Sequence, residues 1–141
     1  MLFYTGIVRT ADKIAGTFIN NLDDKASQLN NISQFAKEAK MILQGNSPLD
    51  GLGELLHQSW VQKRKLSNMV TNERIDCLYQ TGRSAGAIGG KLTGAGGGGM
   101  MLLYVPEKKQ DRVREALSEL LYIPFRFSDE GCRVIFDYVR R

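Results

Sequence analysis

With 141 residues, 43% of them hydrophobic and 24% charged, the chain has length for one packed core and too little for two. Its net charge of +4 comes without a basic block interleaved with aromatics, which argues against nucleic acid as a partner, and no apolar run approaches a membrane span. Two cysteines, Cys77 and Cys132, and a start with neither a basic stretch nor a long apolar segment fit reduced thiols in a cytoplasmic setting better than a secreted, disulfide-bonded one.

Met1–Ile7 is apolar and β-prone and reads as a strand ending around Thr5-Gly6. The chain enters this strand without a leading loop, as expected of a piece cut at a domain edge. Thr10 is placed to cap a helix through about Leu22, with Ile14, Phe18, Ile19 and Leu22 on one face. Asp23 or Asp24 opens a longer helix. Its apolar residues Leu29, Ile32, Phe35, Ala36, Ala39, Ile42 and Leu43 recur at three and four, and Gly45-Asn46 ends it. Ser47-Pro48 begins a third helix, whose face Leu49, Leu52, Leu55, Leu56, Trp60, Lys63 and Leu66 carries it to about Val70. Asn72 caps a fourth, with Ile75, Leu78 and Tyr79 inward, fraying into Gly82 and Gly86. Strands are expected at Ile88–Thr93 and Met100–Val105, then a helix from Pro106-Glu107 to about Leu120. Two last strands follow, Leu121–Phe127 and Cys132–Tyr138, joined by a turn at Asp129-Glu130-Gly131. This order specifies an α+β fold: a ferredoxin-like antiparallel sheet with helices packed on one face and extra helices inserted after the first strand.

Nine of the fifteen glycines lie between Gly82 and Gly99, and the densest run is Lys91-Leu92-Thr93-Gly94-Ala95-Gly96-Gly97-Gly98-Gly99. Glycine in such density is tolerated where positive φ or close backbone approach is needed. A linker would carry serine and polar residues and would not be bounded by strands. Successive N–H groups in a turn of this kind form a concave donor nest for anions, phosphate above all. No Gly-Lys-Ser/Thr closes the run, so it is not a Walker A loop, and it is not a GxGxxG dinucleotide fingerprint. The alternative reading is a plain turn between two strands.

The run resembles the third motif of the GHMP small-molecule kinases. The likeness extends to the opening Leu-Phe-Tyr-Thr-Gly-Ile-Val-Arg, to Gly53-Glu54-Leu55-Leu56-His57-Gln58-Ser59-Trp60, and to Lys63-Arg64-Lys65-Leu66-Ser67. It continues in Pro124-Phe125-Arg126-Phe127 and Gly131-Cys132-Arg133-Val134-Ile135. Together these look like the C-terminal domain of the sugar-kinase branch, near the heptose 7-phosphate and fucose kinases. The resemblance implies phosphoryl transfer from ATP to a sugar hydroxyl, the anomeric hydroxyl of a heptose 7-phosphate in the heptose branch. It implies that ATP and Mg2+ are bound mainly by an N-terminal domain, which also supplies the catalytic aspartate. The family's proline- and serine-containing nucleotide loop has no counterpart here, so no catalytic residue and no metal ligand is assigned and the fragment alone is expected to be inactive. Its partners would be that N-terminal domain, a phosphorylated sugar and, as an alternative, a second copy in a homodimer.

On this reading Lys91, Thr93, Gly94, Ala95, Gly96, Gly97, Gly98 and Gly99 form the substrate and phosphate loop, with the backbone doing the binding. Lys91 is either a cation near the anion or a solvated strand residue. A sugar carrying a phosphate needs a cationic pocket, and Arg9, Lys63 and Arg64 are the candidates, each equally readable as surface charge. His57 has no second ligand at metal spacing and reads as a hydrogen-bonded histidine; Trp60 reads as core. The competing function is a non-catalytic ferredoxin-like module binding a small ligand or RNA, for which the intact Lys-Leu-Thr-Gly-Ala-Gly run would have no use.

Overall fold

The computed structural model describes residues 1–19, 22–45, 48–128, 131 and 134–136. The chain forms a four-stranded sheet of β1 (Leu2–Tyr4), β2 (Gly89–Leu92), β3 (Met100–Tyr104) and β4 (Leu121–Ile123), with burial alternating along β1 and β3. The order is β2-β3-β1-β4, and each neighbouring pair is antiparallel. That is the ferredoxin-like order, with the expected helices inserted between β1 and β2. Leu92, Met101, Phe3 and Tyr122 stand opposite one another in one row across the sheet. The first three are essentially inaccessible, and the Phe3 and Tyr122 rings lie 5.5 Å apart. The adjacent row, Lys91, Leu102, Leu2 and Ile123, points to the other face and is half-buried.

Five α-helices accompany the sheet: α1 (Ala11–Ile19), α2 (Ala26–Gln44), α3 (Asp50–Arg64), α4 (Glu73–Ala85) and α5 (Gln110–Ala116). Ile75, Leu78 and Tyr79 of α4 and Val113 of α5 complete the core with Trp60, Leu103 and Leu117. The helix α3 lies against β2, where the Gly53 carbonyl fills the space a side chain at Gly89 would occupy: a Cβ there would stand 1.9 Å from that oxygen. In turn α2 packs on α3 through a half-buried stripe of Ile32, Phe35, Ala39 and Ile42, and none of its residues is fully buried.

Several boundaries differ from the sequence expectation. Of the α1 face only Ile14 is buried; Ile19 and Leu22 are exposed. A 3-10 turn, Asp23–Lys25, precedes α2. The helix α3 stops at Arg64 rather than continuing to Val70, because Ser67 Oγ accepts from the Met69 N–H and draws the backbone into a turn. That turn buries Leu66 and Val70 in the core. The helix expected after Pro106 is a 3-10 turn, Glu107–Lys109, followed by the short α5. β4 ends at Ile123 because Pro124 has no N–H for the ladder. Of the strand expected at Cys132–Tyr138, residues Val134, Ile135 and Phe136 are exposed and outside the sheet; the others lie outside the described residues, as do Asp129, Glu130, Asn46 and Ser47. The Asn72 cap is present, its Oδ1 accepting from Ile75 N at 3.0 Å.

The two faces of β3 give a direct test. Leu103 is 1% exposed and Leu102 half-buried on the opposite face. Leu103→Ala should cost about 2–5 kcal/mol in urea unfolding and Leu102→Ala clearly less. Equal losses would mean that the sheet buries both faces alike.

Candidate functional site

The glycine loop leaves β2, returns into β3, and is not a free surface turn. Gly96, Gly97 and Gly98 are buried. Four of its residues take positive φ: Gly94 at 72°, Gly96 at 110°, Gly97 at 73° and Gly99 at 83°. Two neighbouring segments grip it. The Gly97 N–H donates to the Val70 carbonyl at 2.7 Å, and the Gly99 N–H donates to the Ile7 carbonyl at 2.8 Å. Thr5, itself buried, sends both its N–H and its hydroxyl to the Gly99 carbonyl at 2.9 Å. The approach is too close for side chains. A Cβ at Gly98 would stand 2.3 Å from the Ile7 oxygen, and one at Gly96 2.7 Å from the Val70 oxygen.

The donor nest expected from the sequence is therefore partly used within the fold. Gly97 and Gly99 spend their N–H groups on protein carbonyls. Among the described residues no acceptor receives the N–H of Gly96 or Gly98. Those two glycines line a cleft of about 270 Å³ with Tyr4, Ile7, Arg9 and Thr93. Gly97 faces a second cleft of about 310 Å³, bounded by Arg9, Thr10, Lys13, Met69, Thr71 and Asn72. Arg9 belongs to both. It lies between β1 and α1, exposed, and among the described residues neither Arg9 nor Lys13 makes a hydrogen bond or ion pair. Unneutralised Arg9 thus stands beside unsatisfied backbone donors, with unpaired Lys13 in the adjoining cleft, an arrangement that attracts anions.

The other basic candidates lie outside these two clefts. Arg64 binds Asp76 at 2.8 Å, and the second oxygen of that carboxylate accepts from the Thr71 hydroxyl at 2.7 Å. Lys63 donates to the Leu92 carbonyl at 3.4 Å and to the Gly94 carbonyl, at the start of the loop. Burial, reinforced by the nearby Lys91 charge, lowers its pKa to about 8. Lys91 borders the groove between α2 and α3 beside Ser59 and Leu56. The structure therefore brings Arg9 to the glycine loop with Lys13, which sequence reasoning missed. An isolated lysine on an amphipathic helix carries no signal until α1 is docked. His57 Nδ1 lies 2.8 Å from the Tyr79 hydroxyl, and burial first, then Arg83, lowers the His57 pKa. Among the described residues no three His, Cys, Asp or Glu side chains gather at metal-binding distance. No helix among them is long and apolar enough to cross a membrane.

Fold and loop together define a domain of the small-molecule kinase type. The family model for the GHMP kinases C terminal matches residues 42–123, and the chain belongs to that family. Over 137 residues it is 31% identical to a D-glycero-alpha-D-manno-heptose 7-phosphate kinase of Campylobacter jejuni, covering 94% of this chain and 40% of that protein. A mevalonate kinase of Thermococcus onnurineus is 36% identical over 110 residues, with coverage of 77% and 28%. A bifunctional fucokinase/GDP-fucose pyrophosphorylase of Arabidopsis thaliana is 27% identical over 124 residues, with coverage of 84% and 12%. The crystal structure of L. major mevalonate kinase in complex with R-mevalonate superposes with a TM-score of 0.71 at 24% identity, over 84% of this chain and 37% of that one, which shows the fold. The chain spans 40% or less of the length of each of these proteins.

Two measurements check the site's construction. Gly94 has positive φ and open space, so Gly94→Ala should cost about 1–2 kcal/mol from conformation alone. Gly98→Ala meets a backbone oxygen and should cost more, about 3 kcal/mol; the reverse order in thermal unfolding would contradict the close packing described here. The lowered Lys63 pKa has a definite sign. Between about pH 8 and its ordinary 10.5 the unfolded chain holds the proton that the folded chain has released, so this group's contribution to stability rises with pH. Relative to Lys63→Met, the wild type should gain stability from pH 8 to 10; a constant difference would place the ammonium in solvent.

Proposed function

We propose that this chain is the substrate-side domain of an ATP-dependent kinase acting on a small anionic molecule, a heptose 7-phosphate or a closely related phosphorylated sugar. The observation that carries this reading is the juxtaposition of unpaired Arg9 with the unsatisfied Gly96 and Gly98 amides, with unpaired Lys13 in the adjoining cleft that Arg9 also lines. Arg9 would hold the substrate's own phosphate through paired N–H donors, and Lys13 would add charge. The glycine backbone, fixed by Ile7 and Val70, would hold the wall of the pocket close to the reacting hydroxyl. ATP supplies the transferred phosphoryl group, with magnesium accompanying it. Both are assigned to an N-terminal domain of the same protein, working in the cytoplasm, as the family resemblance implies, because phosphoryl transfer needs positioned phosphates and a metal. The exposed apolar residues Val8 and Met69, which border the Arg9 cleft, give such a domain a surface to cover.

A second substrate reading has support as well. The mevalonate kinase of Thermococcus onnurineus is 36% identical over its matched segment, and the carboxylate of mevalonate would suit the same cations. The heptose reading is favoured by the longer match, 137 residues against 110.

In the full-length enzyme, Arg9→Ala should raise KM for heptose 7-phosphate about ten- to a hundredfold while leaving KM for ATP nearly unchanged. The purified 141-residue chain with ATP, magnesium and heptose 7-phosphate should give no saturable turnover. Turnover by the chain alone would refute the division of labour, and preference of the full-length enzyme for mevalonate would replace the substrate.

A further inference from the structure

Lys63 is a cation without a carboxylate. Among the described residues it forms no ion pair. Its nearest charge of consequence is another cation, Lys91, and much of its side chain is removed from water. Such a placement is unfavourable for an ammonium unless hydrogen bonds compensate, and those it makes go to two carbonyls, Leu92 at the end of β2 and Gly94 at the first positive-φ position of the loop. The neighbouring Arg64 reaches the opposite support of the same loop. Through Asp76 it is linked to Thr71, adjacent to Val70, whose carbonyl receives the Gly97 N–H. The last turn of α3 therefore holds the loop from both sides, directly at its entry and indirectly at its centre.

We propose that Lys63 is a positioning residue: its ammonium fixes the Leu92 and Gly94 carbonyls and thereby holds Gly96 and Gly98 on the wall of the Arg9 cleft. This rests on the reading of the loop as the anion site. Glycine gives the loop the conformations it needs but supplies nothing to choose among them, since it loses more freedom on ordering than any other residue. A long side chain anchored on a helix can make that choice without placing a Cβ inside the loop. Lysine suits the task because its three N–H donors can serve two carbonyls at once. Arginine would preserve the charge and the donors, whereas methionine preserves the apolar stem and removes both.

The test is amide hydrogen exchange, followed by NMR on the whole chain, for wild type, Lys63→Met and Lys63→Arg. In Lys63→Met the bonded amides of Thr93, Gly97 and Gly99 should exchange about tenfold faster while α4 amides keep their rates, and Lys63→Arg should restore most of the protection. Unchanged loop exchange in Lys63→Met would overturn the proposal, and so would an equal acceleration in α4, which would mark a general loss of stability. Titrating the same samples with inorganic phosphate separates the two readings. If wild-type loop amides ignore phosphate yet loosen in Lys63→Met, the positioning role stands and the anion assignment fails.

Discussion

Two backbone carbonyls, from Ile7 and Val70, come so close to the glycine loop that no residue with a side chain could occupy Gly96 or Gly98 without moving them. This close packing joins three pieces of chain far apart in sequence: the exit from β1, the turn between α3 and α4, and the β2–β3 connection. Because Ile7 is gripped, Arg9 two residues later and α1 beyond it are delivered to the loop. Because Val70 is gripped, Thr71 and Asn72 become the far side of the same cleft and Asn72 caps α4. The site is therefore a consequence of how the strand exits are held together.

Charge is distributed around this loop with a division of roles. Arg64 is neutralised by Asp76 and serves the scaffold. Lys63 turns to loop carbonyls, where burial and Lys91 lower its proton affinity. On the Arg9 side basic side chains stand without partners among the described residues, and Arg9 does so beside backbone donors that the fold leaves unspent. A surface ion pair contributes little to stability, so leaving Arg9 and Lys13 unpaired costs the fold almost nothing. A dianionic ligand would gain two cations already in place.

Much of this was legible in the sequence. Alternation at Phe3, Met101 and Leu103 and the three-four spacing at Ile75, Leu78 and Tyr79 report burial directly, and the family match across residues 42–123 agrees with the glycine motif. The end of α3 was not legible, because the face through Leu66 and Val70 stays apolar while the backbone leaves the helix for a turn in which Ser67 Oγ accepts from the Met69 N–H. The strand limit at Pro124 was written in the sequence but outweighed by the apolar run around it. The burial of the glycine loop could not be read either. Glycine density signals that something comes close, without saying whether it is a ligand or the chain itself, and here Ile7 and Val70 take part of that space. Lys13, and the loop-facing role of Lys63, depend on how α1 and α3 dock, which local patterns do not encode.

The central claim is that the face of the glycine loop shared with Arg9 receives the anionic end of a small substrate. A crystal structure of the chain with heptose 7-phosphate tests it most directly. The phosphate is expected within hydrogen-bonding distance of the Arg9 guanidinium and of the Gly96 or Gly98 amide. A phosphate seated instead between Lys63 and Lys91, with the Arg9 clefts empty, would contradict it.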